Sequence, residues 1–220
     1  MIEIRDLTKK FDDFTAVDHL NLTIGTGEFF GLLGPNGAGK TTTISMLSTV
    51  LLPSEGEIRI DGVKLDRKAT ALKRKLMVCR SLLIEPEILL LDEPTAGMDA
   101  FARRQMWNLL RQLHSRGITI LLTTHYIDEA QTLCDRVALI NQGKLETVDT
   151  PSALILELGE YAVDEPDQDT LKTRYFPDRE EAISYLRQAG EEASMRATTL
   201  EDVFISRVGR GLASQRSRNR

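Results

Sequence analysis

Glu28–Leu47, EFFGLLGPNGAGKTTTISML, is the stretch around which the whole chain is read. Phe29–Leu33 is a continuous apolar run of the kind that forms a buried strand, and a glycine-rich loop follows it at once. That loop, Gly34-Pro35-Asn36-Gly37-Ala38-Gly39-Lys40-Thr41, fits G-x-x-x-x-G-K-[ST], a phosphate-cradling pattern. Beyond it, Ile44, Met46, Leu47, Val50 and Leu51 are spaced close to one helical face, so Thr42–Leu51 is expected to be helix. Strand, loop and helix stand in the order the pattern needs. Glycines let successive backbone N–H groups face one concavity, and a helix N-terminus adds positive potential for an anion. Lys40 suits the outer phosphates as a point charge, and the Thr41 hydroxyl suits Mg²⁺.

The chain's 220 residues suffice for one α/β domain and a small appendage. A net charge of −5 argues against nucleic acid as the main partner. Cys79 and Cys134 have no metal-ligand spacing and read as reduced, packed thiols. No apolar run approaches membrane-spanning length and the N-terminus has no signal-peptide pattern, so a cytoplasmic protein is expected.

Working outward, Met1–Leu7 alternates like an edge strand, and Ala16–Ile24 alternates again before Gly25-Thr26-Gly27 turns into the loop strand. Between them Lys9–Phe14 reads as a loop. Its aromatics can pack on a sheet, or Phe11 can stack on a purine. Glu57–Ile60 and Val63–Leu65 flank Asp61-Gly62, a hairpin signal. Asp66–Glu87 then carries Leu72, Leu76, Cys79, Leu82 and Leu83 at helical spacing among basic residues.

Ile88–Asp92, ILLLD, reads as a short buried parallel strand that ends in acid. Carboxylates at such a strand end face the crevice where α/β sheets bind ligands. Asp92 is therefore a candidate for holding Mg²⁺ through water and Glu93 for polarising a water, against the plain alternative of an acidic loop start. Ala100–Arg116 is an amphipathic helix with Met106, Leu109, Leu110 and Leu113 inward, capped by Gly117. Ile118–Leu122 is a strand whose end, Thr123-Thr124-His125, points His125 at the same crevice. Ile127–Cys134 reads as helix, Val137–Asn141 and Lys144–Val148 as a hairpin, and Thr150-Pro151 as the start of another helix. From Gly159 the composition shifts. A helix over Asp178–Gly190, a strand over Glu192–Ala197 and a capped helix from Thr199 describe a small α+β appendage. Gly209–Arg220 is arginine-rich and expected to be disordered.

Together these residues resemble the ATP-binding subunit of an ATP-binding cassette (ABC) transporter, most of all those of bacterial ABC-2 and drug-resistance exporters. GPNGAGKTT is similar to that family's Walker A, ILLLDEPTAGMD to its Walker B and D-loop, and TTHYIDEA to its switch-histidine region. The resemblance implies an α/β P-loop NTPase with a mixed, largely parallel sheet and N-terminal antiparallel strands. The ATP-binding domain would span residues 1–158, the α+β appendage 159–208 and the basic tail 209–220. It implies that Phe11 stacks on adenine and that Gly34, Pro35, Asn36, Gly37, Ala38, Gly39, Lys40, Thr41 and Thr42 hold the triphosphate. Thr41 and Asp92 would serve Mg²⁺, Glu93 would polarise water, Asp99 would be the D-loop residue, and His125 would sense the γ-phosphate. ATP and Mg²⁺ are the implied cofactors. The implied partners are a membrane-spanning permease and a second ATP-binding subunit, head to tail, at the inner face of the cell membrane. The implied function is ATP-driven export of drugs or other small hydrophobic molecules.

The sequence also departs from the family. Between Walker A and Walker B the family carries a glutamine loop, a helical subdomain and a Ser-Gly-Gly signature. Here no glutamine precedes Gln105 and no Ser-Gly-Gly occurs anywhere. The helix that follows the signature in the family begins near Lys73, with a junction at Lys73-Arg74-Lys75, and the strand leading into the glutamine loop is missing too. On this reading the alternative is a nucleotide-binding relative with little turnover.

Overall fold

The computed structural model describes residues 1–65, 86–167, 170–190 and 192–216. The helix expected over Asp66–Glu87, the junction at Lys73 and Cys79 lie outside the described residues, apart from Pro86 and Glu87 at the helix's expected end. The chain forms two compact units, Met1–Val148 and Asp149–Arg220.

The first unit holds two sheets. Strands β1 (Ile2–Phe11), β2 (Phe14–Ile24), β4 (Glu55–Ile60) and β5 (Val63–Lys64) form an antiparallel sheet in the order β2-β1-β4-β5. β1 is thus interior, not the edge its alternation suggests: Ile2 pairs with Ile24 on one side and Ile60 on the other. Nor is Lys9–Phe14 a loop. The ladder runs on through Lys10–Thr15 and Phe11–Phe14, leaving Asp12-Asp13 as the turn. Asp61-Gly62 closes the β4–β5 hairpin with both residues at positive φ (49° and 77°), the turn this dipeptide favours.

The second sheet has the order β6-β7-β3-β8-β9, from β6 (Ile88–Asp92), β7 (Thr119–Thr124), β3 (Phe29–Leu33), β8 (Arg136–Asn141) and β9 (Lys144–Asp149). β6, β7, β3 and β8 are parallel, so their C-terminal ends gather on one side. β3 and β7 are buried along their whole length, as strands flanked on both sides should be. β6 is not. Each of Ile88–Leu91 is only partly buried, because among the described residues β6 has a ladder to β7 alone.

Helix α1 (Lys40–Leu47) is shorter than expected and packs Ile44, Met46 and Leu47 into a core shared with Ile2, Leu20, Phe30, Leu32 and Leu121. α2 (Ala100–Ser115) buries Leu110 but leaves Leu109 49% exposed, so its inward stripe is narrower than the periodicity suggests. α3 (Ile127–Leu133) follows β7.

In the second unit, α4 (Pro151–Leu158) begins at Thr150, whose hydroxyl accepts from Ala153 N–H with Pro151 at the first helical position. β10 (Tyr161–Asp167), β11 (Thr170–Phe176) and β12 (Ser194–Ala197) form an antiparallel sheet in the order β11-β10-β12. α5 (Arg179–Ala189) is capped by Asp178, which accepts from Glu180 and Glu181 N–H. α6 (Leu200–Arg216) stays helical to Arg216, into the stretch expected to be disordered. Arg196 ties this unit together: it donates to Asp164 (2.7 Å) and, as a fork, to both oxygens of Asp202 (2.7 and 2.8 Å).

Candidate active site

Three features converge at the C-terminal ends of the parallel strands. β3 delivers Gly34 into a loop that closes through a Pro35 carbonyl–Ala38 N–H bond (3.2 Å). Gly39 then starts α1 at φ 103°, and a Cβ there would stand 2.5 Å from the Ala16 carbonyl oxygen. Only glycine lets loop and β2 meet this closely. No side chain caps α1, so its first-turn N–H groups are left for an acceptor from outside the helix. Asn36 and Gly37 stand exposed at the loop's tip, while Ala38 is buried and its carbonyl accepts from Gly143 N–H (3.0 Å). Pro35 and Thr42 are half-buried.

Lys40 is 4% exposed, and its ammonium donates to the carbonyls of Gly34 (2.9 Å) and Pro35 (3.2 Å). It also lies 3.5 Å from Glu93 Oε1. The other Glu93 oxygen stands 3.1 Å from His125 Nδ1. Loop lysine, carboxylate and histidine therefore form one chain of contacts drawn from α1, β6 and β7.

Asp92 joins a second chain. Its Oδ1 accepts from the Thr41 hydroxyl (3.2 Å) and from Thr123 Oγ1 (2.5 Å). Thr123 in turn receives the Glu93 N–H at both its carbonyl (3.0 Å) and its hydroxyl (3.1 Å). The register Asp92–Thr123 across β6 and β7 creates this knot. It sets Glu93 at φ 47°, turning its side chain out of the strand line toward Lys40 and His125. The Thr41 and Asp92 oxygens, 3.2 Å apart, are spaced close to neighbouring ligands of an octahedral ion, about 3.0 Å apart when each lies near 2.1 Å from Mg²⁺. Among the described residues no cluster of three His, Cys, Asp or Glu could hold a metal. An ion here would complete its shell with water and phosphate oxygens.

Thr123 has no role in the sequence reading, yet it touches both acidic residues. Tyr126 is also new: its ring centre lies 4.2 Å from that of His125 and 4.3 Å from the Arg103 guanidinium carbon, so His125 has a wall behind it. No single-sequence signal marks either residue. Two expected residues lie apart from these contacts. Asp99 caps α2, accepting from Ala102 N–H (2.8 Å). Phe11 sits at the β1–β2 turn, 43% exposed, with Lys9 Nζ 5.0 Å from its ring centre. The hairpin's Ala16, five residues along, abuts Gly39, so Phe11 shares that end of the molecule with the loop.

The family described as "ABC transporter" matches residues 17–74. The chain is 32% identical to Nod factor export ATP-binding protein I of Burkholderia lata over 295 aligned positions, covering 95% of this chain and 97% of that protein. It is 32% identical to the probable multidrug ABC transporter ATP-binding protein YbhF of Escherichia coli (strain K12) over 219 positions, with 70% of this chain covered. The chain spans 38% of the length of YbhF. Among solved structures, the chain resembles an ATP-binding cassette dimer in a post-hydrolysis state with ADP and Pi (TM-score 0.61, 20% identity, 68% of this chain and 98% of that one). It also resembles cbiO1 of Clostridium perfringens, part of the ABC transporter complex cbiONQ (TM-score 0.62, 23% identity, 71% and 90%). These two likenesses concern the fold.

Proposed function

Because the chain belongs to the ATP-binding proteins of ABC transporters, we propose that it binds Mg-ATP on Gly34–Thr42 and hydrolyses it to energise an exporter. The observation that carries this reading is the contact chain Lys40–Glu93–His125 beside the Thr41–Asp92 pair. Lys40 exchanges its loop carbonyls for the β and γ phosphates, and the first-turn N–H groups of α1 donate to the same oxygens. Thr41 and Asp92 hold Mg²⁺, which supplies charge neutralisation for phosphoryl transfer. Released from Lys40 by the phosphates, Glu93 orients the attacking water, and His125, steadied by Tyr126, faces the γ-phosphate. Phe11 stacks on adenine, and Asp99 contributes from the start of α2. The proposed ATP-binding domain, 1–158, takes in the first compact unit, Met1–Val148, and α4 of the second, with the appendage at 159–208.

YbhF is named for multidrug transport and the Burkholderia protein for Nod factor export, and those names support an export role for this chain. Drugs or other small hydrophobic molecules are the proposed cargo. No helix among the described residues is long and apolar enough to cross a membrane. Membership of the ABC transporter ATP-binding proteins supports a membrane-spanning permease, at the inner membrane face, as the proposed partner. A second ATP-binding subunit is the other.

Steady-state phosphate release measured beside titration calorimetry tests the reading. Lys40→Ala removes charge-assisted contacts worth about 1.5–3 kcal/mol, so Mg-ATP affinity should fall on the order of 10- to 100-fold. Glu93→Gln should keep affinity and lose turnover. Equal affinity in Lys40→Ala overturns nucleotide binding at this loop. Tight Lys40-dependent binding without wild-type turnover assigns the chain instead to nucleotide-binding relatives that do not cycle.

A further inference from the structure

The first unit turns two hairpins with nearly the same backbone. Asp61-Gly62 has φ 49° and 77°, and Gln142-Gly143, between β8 and β9, has φ 50° and 79°. Both glycines meet the demand of such a turn for positive φ. Their surroundings differ. Gly62 is exposed, and a Cβ there would meet nothing within 4 Å. Gly143 is buried, and a Cβ there would stand 2.9 Å from the Ala16 carbonyl oxygen and 3.3 Å from Val17 Cα. Turning the chain accounts for Gly62 in full and for Gly143 only in part.

Gly143 also joins the phosphate loop to β2. Its N–H donates to the Ala38 carbonyl (3.0 Å), and its carbonyl accepts from Asp18 N–H (2.9 Å). The Ala16 oxygen that it abuts is the one Gly39 abuts, so this oxygen is held between two glycines. At the loop's other end, a Cβ on Gly34 would clash with the Ile140 carbonyl of β8, and the Gly34 carbonyl accepts from the Lys40 ammonium (2.9 Å). The Lys144 ammonium, 3.2 Å from the Asp18 carboxylate, adds an exposed tie alongside. We propose that Gly143 is a positioning residue for the phosphate loop, a role that rests on nucleotide binding there. Locked to β2, the β8–β9 turn fixes where Ala38 and Gly39 stand. It thereby sets where Lys40 and the first-turn N–H groups of α1 point before nucleotide arrives. Gly143 acts through the loop and not on the nucleotide.

Titration calorimetry with Mg-ATP, beside urea unfolding followed by Trp107, the chain's single tryptophan, tests this. Gly62→Ala carries the strain of positive φ alone: its urea midpoint should fall while affinity stays within about twofold of wild type. Gly143→Ala adds the collision with Ala16. Its affinity should fall at least about fivefold, a fraction of the 10- to 100-fold expected on losing the Lys40 contacts. Gly143→Asn keeps the collision but eases the strain, since asparagine tolerates positive φ. It should lose as much affinity as Gly143→Ala and less stability. In nucleotide-free wild type, a scalar coupling should be present across the hydrogen bond from Gly143 N–H to the Ala38 carbonyl; if neither Gly143 variant folds, this coupling decides. Its absence overturns the proposal, as does a smaller loss of affinity in a folded Gly143 variant or an equal loss in Gly62→Ala. Lost affinity in Lys40→Ala with none in the Gly143 variants removes this role and leaves nucleotide binding standing. Unchanged affinity in Lys40→Ala removes both.

Discussion

Thr123→Val isolates the knot that holds both acidic residues. Thr123 is fully buried, and valine fills nearly its volume, so the change removes a hydroxyl without opening a cavity. The hydroxyl donates to Asp92 at 2.5 Å, and a hydrogen bond to a charged group contributes about 1.5–3 kcal/mol. Its second role is small: Glu93 N–H keeps the Thr123 carbonyl at 3.0 Å. Among the described residues Asp92 keeps only the longer Thr41 contact at 3.2 Å. The expected loss is therefore about 1.5–3 kcal/mol at neutral pH. Trp107 lies in the same unit, so its emission in a urea titration reports that unit alone. With m near 2 kcal/mol/M, the midpoint should fall by roughly 1 M. In an Asp92→Asn background the same substitution should cost at least about 1 kcal/mol less, because the charge that strengthens the bond is gone. A loss below about 0.5 kcal/mol, or an equal loss in both backgrounds, would refute the claim that Thr123 acts by holding the Asp92 carboxylate.

Phe11→Ala should weaken Mg-ATP about fivefold by calorimetry, the equivalent of ~1 kcal/mol of stacking, while Phe11→Tyr stays near wild type. An unchanged alanine variant beside a weakened tyrosine variant rules stacking out. In the second unit, burial pushes the Asp202 carboxyl up, but the Arg196 fork and the Thr199 N–H and O–H outweigh it and hold it below its usual range. The folded value lies below the unfolded one, so this contribution is complete above about pH 3.9 and is lost as pH falls through the folded value. The Thr199 amide resonance, which reports the Asp202 contact directly, should titrate below about pH 3.9 and lose that step in Asp202→Asn. A midpoint at or above that value counts against the network.

Much of the local structure was legible in the sequence. The strand, loop and helix of Glu28–Leu47 were, because the conformations that G-x-x-x-x-G-K-[ST] requires are carried by the glycines themselves. The Asp61-Gly62 turn and the Thr150 cap were legible for the same reason: each is a contact between neighbours in the chain. What periodicity could not say was which strands flank which. β1 alternates like an edge strand yet lies between β2 and β4, and ILLLD reads as buried yet stands half-exposed, with a ladder to β7 alone among the described residues. The site follows the same division. Lys40, Asp92, Glu93 and His125 could be named from their motifs and strand ends. That Thr123 bonds Asp92 and Glu93 depends on pairing two strands about thirty residues apart in one register, and shifting it by a residue would send the hydroxyl to the other face. Short-range stereochemistry is written residue by residue; register is settled only when whole strands bury their faces together.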